Sequence, residues 1–164
     1  MVDKQLQCPR SVWRNPVHFL AFGFGSGCGP VAPGTWGTLV AVPLFMLMSS
    51  LSWPLYMGIT VGLFAMGVWL CGRTARDLGV HDHPGIVWDE IVGYLLTMSF
   101  APSGLVWVGL GFVFFRLFDI VKPWPIRRLD QEMPGGLGIM LDDVLAGAYG
   151  ALALWGLATL LHYF

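Results

Sequence analysis

Residues 138–164 read GIMLDDVLAGAYGALALWGLATLLHYF. Two adjacent carboxylates, Asp142 and Asp143, stand at the head of a run with no charged residue from Val144 to Phe164. Wound as a helix, a run of that length can cross a hydrocarbon core of about 30 Å. The spacing predicts a last helix over 142–162, with two charges at its mouth. Charge is costly there unless something compensates it.

Working outward, the same arrangement recurs. No Asp, Glu, Lys or Arg occurs from Asn15 to Gly72, nor from Ile91 to Phe115. Charge therefore collects in three islands, residues 3–14, 73–90 and 116–143. Of the 164 residues, 55 % are hydrophobic and only 12 % charged. That charged share is about half the usual one for a soluble domain and points to a membrane as solvent. A net charge of −1 argues against a nucleic-acid surface. The length suits one domain, residues 15–164, preceded by a basic arm over 1–14. Cys8, Cys28 and Cys71 are odd in number and lack metal-like spacing, which argues for a reducing compartment and against a disulfide framework.

Apolar helices are predicted over 38–51 and 55–71, joined at Ser52-Trp53-Pro54, and over 85–100 and 104–121, joined at Ala101-Pro102-Ser103-Gly104. The fold class is all-α: a compact helical membrane protein with several short transmembrane or re-entrant helices and a polar site at one face. Each apolar hairpin leaves one island and returns to the next, so the islands share that face. Lys4, Arg10, Arg14, Arg73, Arg76, Arg116, Lys122, Arg127 and Arg128 gather on it, and the positive-inside rule makes it cytoplasmic. The 91–115 hairpin is too short for two full spans.

Four segments concentrate the polar residues: GSGCGPVAPGTWG (25–37), HDHPGIVWDEIVG (81–93), FRLFDIVKPWP (115–125) and GGLGIMLDDVLAG (135–147). They place Asp89, Glu90, Asp119, Asp142 and Asp143 at similar depth on three helices. A hard cation such as Mg²⁺, held by several carboxylates beside a phosphate, is the simplest compensation. Helix capping is the competing account for Asp142 and Asp143. Arg116, Asp119 and Lys122, at i, i+3 and i+6, share a helical face and suit phosphate oxygens. An intrahelical ion-pair ladder is the competing account. The Gly-rich loop either offers backbone N–H groups to an anion, with Ser26, Gly34 and Thr35 as phosphate-facing positions, or merely turns the chain.

His81 and His83 read as an exposed loop pair, and His18 and His162 as interfacial. Gly147 and Ala151, four and eight residues after Asp143, form a small-residue stripe suited to helix packing. Cys8 to Arg14 fits the C-x5-R loop of cysteine phosphatases in spacing alone, since it lacks the glycines.

Taken in order, FGSGCGPVAPGTWGTL, HDHPGIVWDEIVG, FRLFDIVKPWPI and GGLGIMLDDVLAG resemble the phosphatidylglycerophosphatase A family of lipid phosphatases, over most of residues 17–160. The resemblance implies an all-helical bacterial inner-membrane enzyme that hydrolyses phosphatidylglycerophosphate to phosphatidylglycerol and phosphate with Mg²⁺. It carries the acidic motif positions onto Asp89, Glu90, Asp119, Asp142 and Asp143, and the basic ones onto Arg116 and Lys122. On this reading Glu90, Asp119, Asp142 and Asp143 hold the metal, and Asp89 is a general base. The alternative from another class is a membrane cation carrier or assembly subunit built around the same carboxylates. A carrier needs a polar path through both leaflets, whereas here the polar residues gather at one side.

Overall fold

The computed structural model describes residues 8–128 and 133–161. The main α-helices among the described residues are, in order, α1 (Pro16–Ala21), α2 (Pro33–Met48), α3 (Trp53–Leu78), α4 (Trp88–Thr97), α5 (Leu105–Val121) and α6 (Gly135–Leu160). No strand occurs among the described residues, so the all-α expectation holds. Helices α2 to α6 alternate in direction. The starts of α2, α4 and α6 and the ends of α3 and α5 meet at one end of the bundle, where the charges lie.

Two boundaries differ from expectation in ways that matter. Helix α3 runs to Leu78 rather than stopping at residue 71, because Arg73 and Asp77 pair at i, i+4 (3.0 Å) and the stop comes at Gly79, left-handed at φ +68°. Helix α6 begins at Gly135, seven residues before Asp142. The aspartates therefore sit in its third turn, where intrahelical bonds already satisfy the backbone N–H groups, and capping does not explain them. The expected helix over 142–162 ends on His162, which lies outside the described residues.

The centre is α4. Only ten residues long, it is about 15 Å from end to end, far short of a span. All of it except Glu90 and Leu96 is buried, against α2, α3 and α6. Its contact with α6 is backbone on backbone: a Cβ at Gly147 would strike the Gly93 carbonyl, and Thr97 Oγ1 donates to both the Gly93 and Gly147 carbonyls (3.1 and 3.2 Å). The small-residue stripe is thus a packing seam. Buried aromatic tips also find partners, with Tyr56 Oη on Leu95 O (2.6 Å), Tyr94 Oη on Val108 O (3.1 Å) and Trp88 Nε1 on Leu63 O (3.1 Å).

Helices α3 and α6, each of 26 residues, are long and apolar enough to cross a bilayer. Large apolar side chains such as Leu47, Val61, Trp69, Ile120 and Leu152 are exposed on the outside of the bundle. Residues 8–14 of the N-terminal arm pack onto the domain. Val12 is buried, and Cys8 and Cys28 are joined by a disulfide, which corrects the reading of the cysteines. Folding the arm back onto the Gly-rich loop brings the two Cα atoms to 4.8 Å, a proximity invisible in a 20-residue separation. Cys71, buried in α3, is the cysteine left over.

Candidate active site

Asp89 and Glu90 occupy the first turn of α4, and Asp143 reaches them from the third turn of α6. One oxygen from each of the three lies within 4.8 Å of the others. Asp89 Oδ1, Glu90 Oε2 and Asp143 Oδ2 are buried and accept no hydrogen bond within the protein. Burial, reinforced by Glu90 alongside, pushes Asp89 well above the usual carboxylate range. Burial and then Asp143 do the same to Glu90, against the pull of Arg116. Three such groups with open lone pairs, all offering oxygen, are the donor set of a hard divalent cation, so the residues fit Mg²⁺.

The basic residues frame this trio. Arg116 forms an ion pair with Asp119, one turn on in α5, and its Nη1 is 3.9 Å from Glu90 Oε1. Its Nε is buried without a hydrogen-bond partner. Asp119 also comes within hydrogen-bonding reach of Asp143. Lys122 does not complete a ladder along α5. It ends the helix in a left-handed conformation (φ +44°), and its Nζ reaches across to Asp142 Oδ2 at 2.7 Å. The geometry thus separates the five acids: Asp89, Glu90 and Asp143 converge, while Asp119 and Asp142 each hold a cation. Asp89, expected as a base, lies within the trio.

The Gly-rich loop contributes mainly through one residue. The N–H groups of Ser26 to Gly29 are bonded within the loop or to Phe22, and that of Thr35 to Ala32 O (2.9 Å). Ser26 Oγ is buried beside Gly23 and Val87. Gly34, however, opens α2 directly against the site: a Cβ there would run into Glu90 Oε1 and come within 2.8 Å of Arg116 Nη1. The Gly34→Ala variant should lose about 100-fold in kcat, as expected for a catalytic group misplaced by an ångström. Its thermal midpoint should hardly move, because only side-chain ends are displaced. Equal losses in both would show a folding defect instead.

His81 is exposed, as expected, but His83 and His18 are packed into the structure. His83 is buried, not exposed: its Nδ1 accepts the Gly85 N–H (3.0 Å), its ring meets Phe22, and burial lowers its pKa. His18 is buried between Ser11 and Asp77 rather than interfacial. Cys8, in its disulfide, is no phosphatase nucleophile. A cavity of about 360 Å³ lies at the other end of the bundle, lined by Phe45, Trp53, Tyr56, Met98 and Ser103, away from the carboxylates.

The phosphatidylglycerophosphatase A family model matches residues 19–158, which takes in all four polar segments. The chain belongs to this family. It is 49 % identical over 142 residues to phosphatidylglycerophosphatase A of Escherichia coli K12, covering 86 % of this chain and 83 % of that protein. It is 45 % identical over 145 residues to the Haemophilus influenzae Rd protein of the same name, covering 87 % and 89 %. A Bacteroides thetaiotaomicron protein, provisionally described as a phosphatidylinositol-3-phosphatase, is 38 % identical over 146 residues, covering 81 % and 90 %. No solved structure matches the chain significantly. As a family member the chain is a phosphatase, a phosphoric monoester hydrolase, and the carrier reading falls away.

Proposed function

We propose that this phosphatase hydrolyses phosphatidylglycerophosphate to phosphatidylglycerol and inorganic phosphate, as a Mg²⁺-dependent multi-pass protein of the bacterial inner membrane with its site facing the cytoplasm. The observation that carries the metal reading is the convergence of Asp89, Glu90 and Asp143, with buried oxygens that no protein group satisfies. The substrate follows from the names of the relatives from E. coli and H. influenzae. The setting follows from the apolar exterior and the two helices of spanning length.

Asp89, Glu90 and Asp143 would hold the ion, which when bound supplies Lewis-acid neutralisation of phosphate charge. Arg116, anchored by Asp119, directs its guanidinium toward the same point and binds phosphoryl oxygens as negative charge shifts onto the leaving group. Lys122, steered by Asp142, adds a second positive charge at the rim. Gly34 leaves room for Glu90 and Arg116 to approach each other against the start of α2. Water adds to phosphorus, the P–O bond to glycerol breaks, and the water proton ends on the departing alkoxide. The acyl chains remain in lipid, because the site lies at the end of the bundle.

The test is phosphate release by purified protein in mixed micelles. Chelation should abolish it and Mg²⁺ should restore it. Phosphatidylinositol 3-phosphate, offered in parallel, should turn over far more slowly. Release unaffected by chelation would remove the metal, and preference for the inositide would remove the substrate.

A further inference from the structure

Two segments at the carboxylate end combine an exposed tryptophan with exposed arginines, and the catalytic proposal uses neither. The first is Arg10–Trp13–Arg14, with Trp13 65 % exposed. The second follows Lys122: Trp124 is 78 % exposed and Arg127 stands exposed three residues on. An indole held this far into water forgoes most of its burial energy, unless its surroundings are not water.

Both segments are fixed in place. In the first, Val12 is buried, Ser11 Oγ meets His18 Nδ1 (2.9 Å), and His18 Nε2 meets Asp77 Oδ2 (3.3 Å) at the end of α3. The Trp13 ring lies over Gly25 and beside Phe19, with centroids 6.0 Å apart. In the second, Ile126 is fully buried and Tyr149 Oη donates to Trp124 O at 3.3 Å, which attaches the segment to α6. Pro123 and Pro125 stiffen the backbone on either side of the indole. The tryptophans are therefore presented outward by well-packed neighbours rather than left over from poor packing.

We propose that these two segments form a two-point docking surface for anionic phospholipid headgroups around the mouth of the site. Indole rings suit the headgroup region, where one edge is apolar and the other wet. Arginines beside them complement a negatively charged surface. The proposal rests on the membrane setting proposed above. It adds that the bulk lipid, and not the substrate alone, is recognised. An anionic product left in the bilayer would then help retain the enzyme where anionic lipid is dense.

The test reconstitutes the full chain in phosphatidylcholine vesicles with and without phosphatidylserine. Spin-labelled phosphatidylserine and phosphatidylcholine report which lipid is immobilised at the protein, independently of catalysis. The wild type should select the anionic label. The Arg14→Gln/Arg127→Gln variant should lose about fivefold in that selectivity per arginine, and Trp13→Leu/Trp124→Leu should weaken it too. In the activity arm the variants should raise KM, as substrate mole fraction, only where phosphatidylserine is present, with kcat unchanged. Equal selectivity in wild type and both variants would overturn the proposal. Selectivity that persists in a protein releasing no phosphate from phosphatidylglycerophosphate would uphold it and overturn the proposed substrate instead.

Discussion

Replacing Asp143 by Asn, or Glu90 by Gln, is expected to lower kcat for phosphate release by about 10²- to 10³-fold, the equivalent of several kcal/mol of charge stabilisation. Both changes are isosteric, and each removes one charged oxygen donor from the trio. Loss of activity alone would not separate a metal ligand from a structural acid, but stability does. Without divalent cation, three buried carboxylates within 4.8 Å repel one another, so neutralising one should leave the thermal midpoint unchanged or raise it. Adding Mg²⁺ should raise the wild-type midpoint, by linkage, and raise that of the variants much less. Near-wild-type turnover in both variants would sink the site.

The second large effect is expected at Gly147. An alanine there must push α6 away from the Gly93 carbonyl, where the backbones of α4 and α6 meet. The expected cost is about 1–3 kcal/mol of stability. Activity should fall with it, because the same seam sets Asp143 of α6 against Asp89 and Glu90 of α4. Gly156, later on α6, is the control: nothing lies within 4 Å of a Cβ there, so Gly156→Ala should be neutral or slightly stabilising. If the two variants behaved alike in thermal and activity assays, the seam would not be what positions the carboxylates.

Much of the architecture was legible before folding. The uncharged stretches and the turn residues at 52–54 and 101–104 located the helices, because periodicity and chain-breaking residues are local properties. The errors came where local signals compete with packing. Gly135, Gly136 and Gly138 lie ahead of the helix expected from 142, yet they open α6, and a Cβ at Gly136 would collide with the Val68 carbonyl of α3. His83 looked exposed and His18 interfacial because nothing near them in sequence shows Phe22 or Asp77 approaching.

The sequence by itself determined an all-helical chain, its apolar segments, the four polar motifs and the family they resemble. These depend on residue type and spacing along one dimension. Only the tertiary structure decided how the acids divide their work. Neighbours on a helix point about 100° apart, so Asp142 turns to Lys122 of α5 while Asp143 turns to Asp89 and Glu90 of α4. Two aspartates identical in sequence context thus take different partners, because different helices face the two sides of α6.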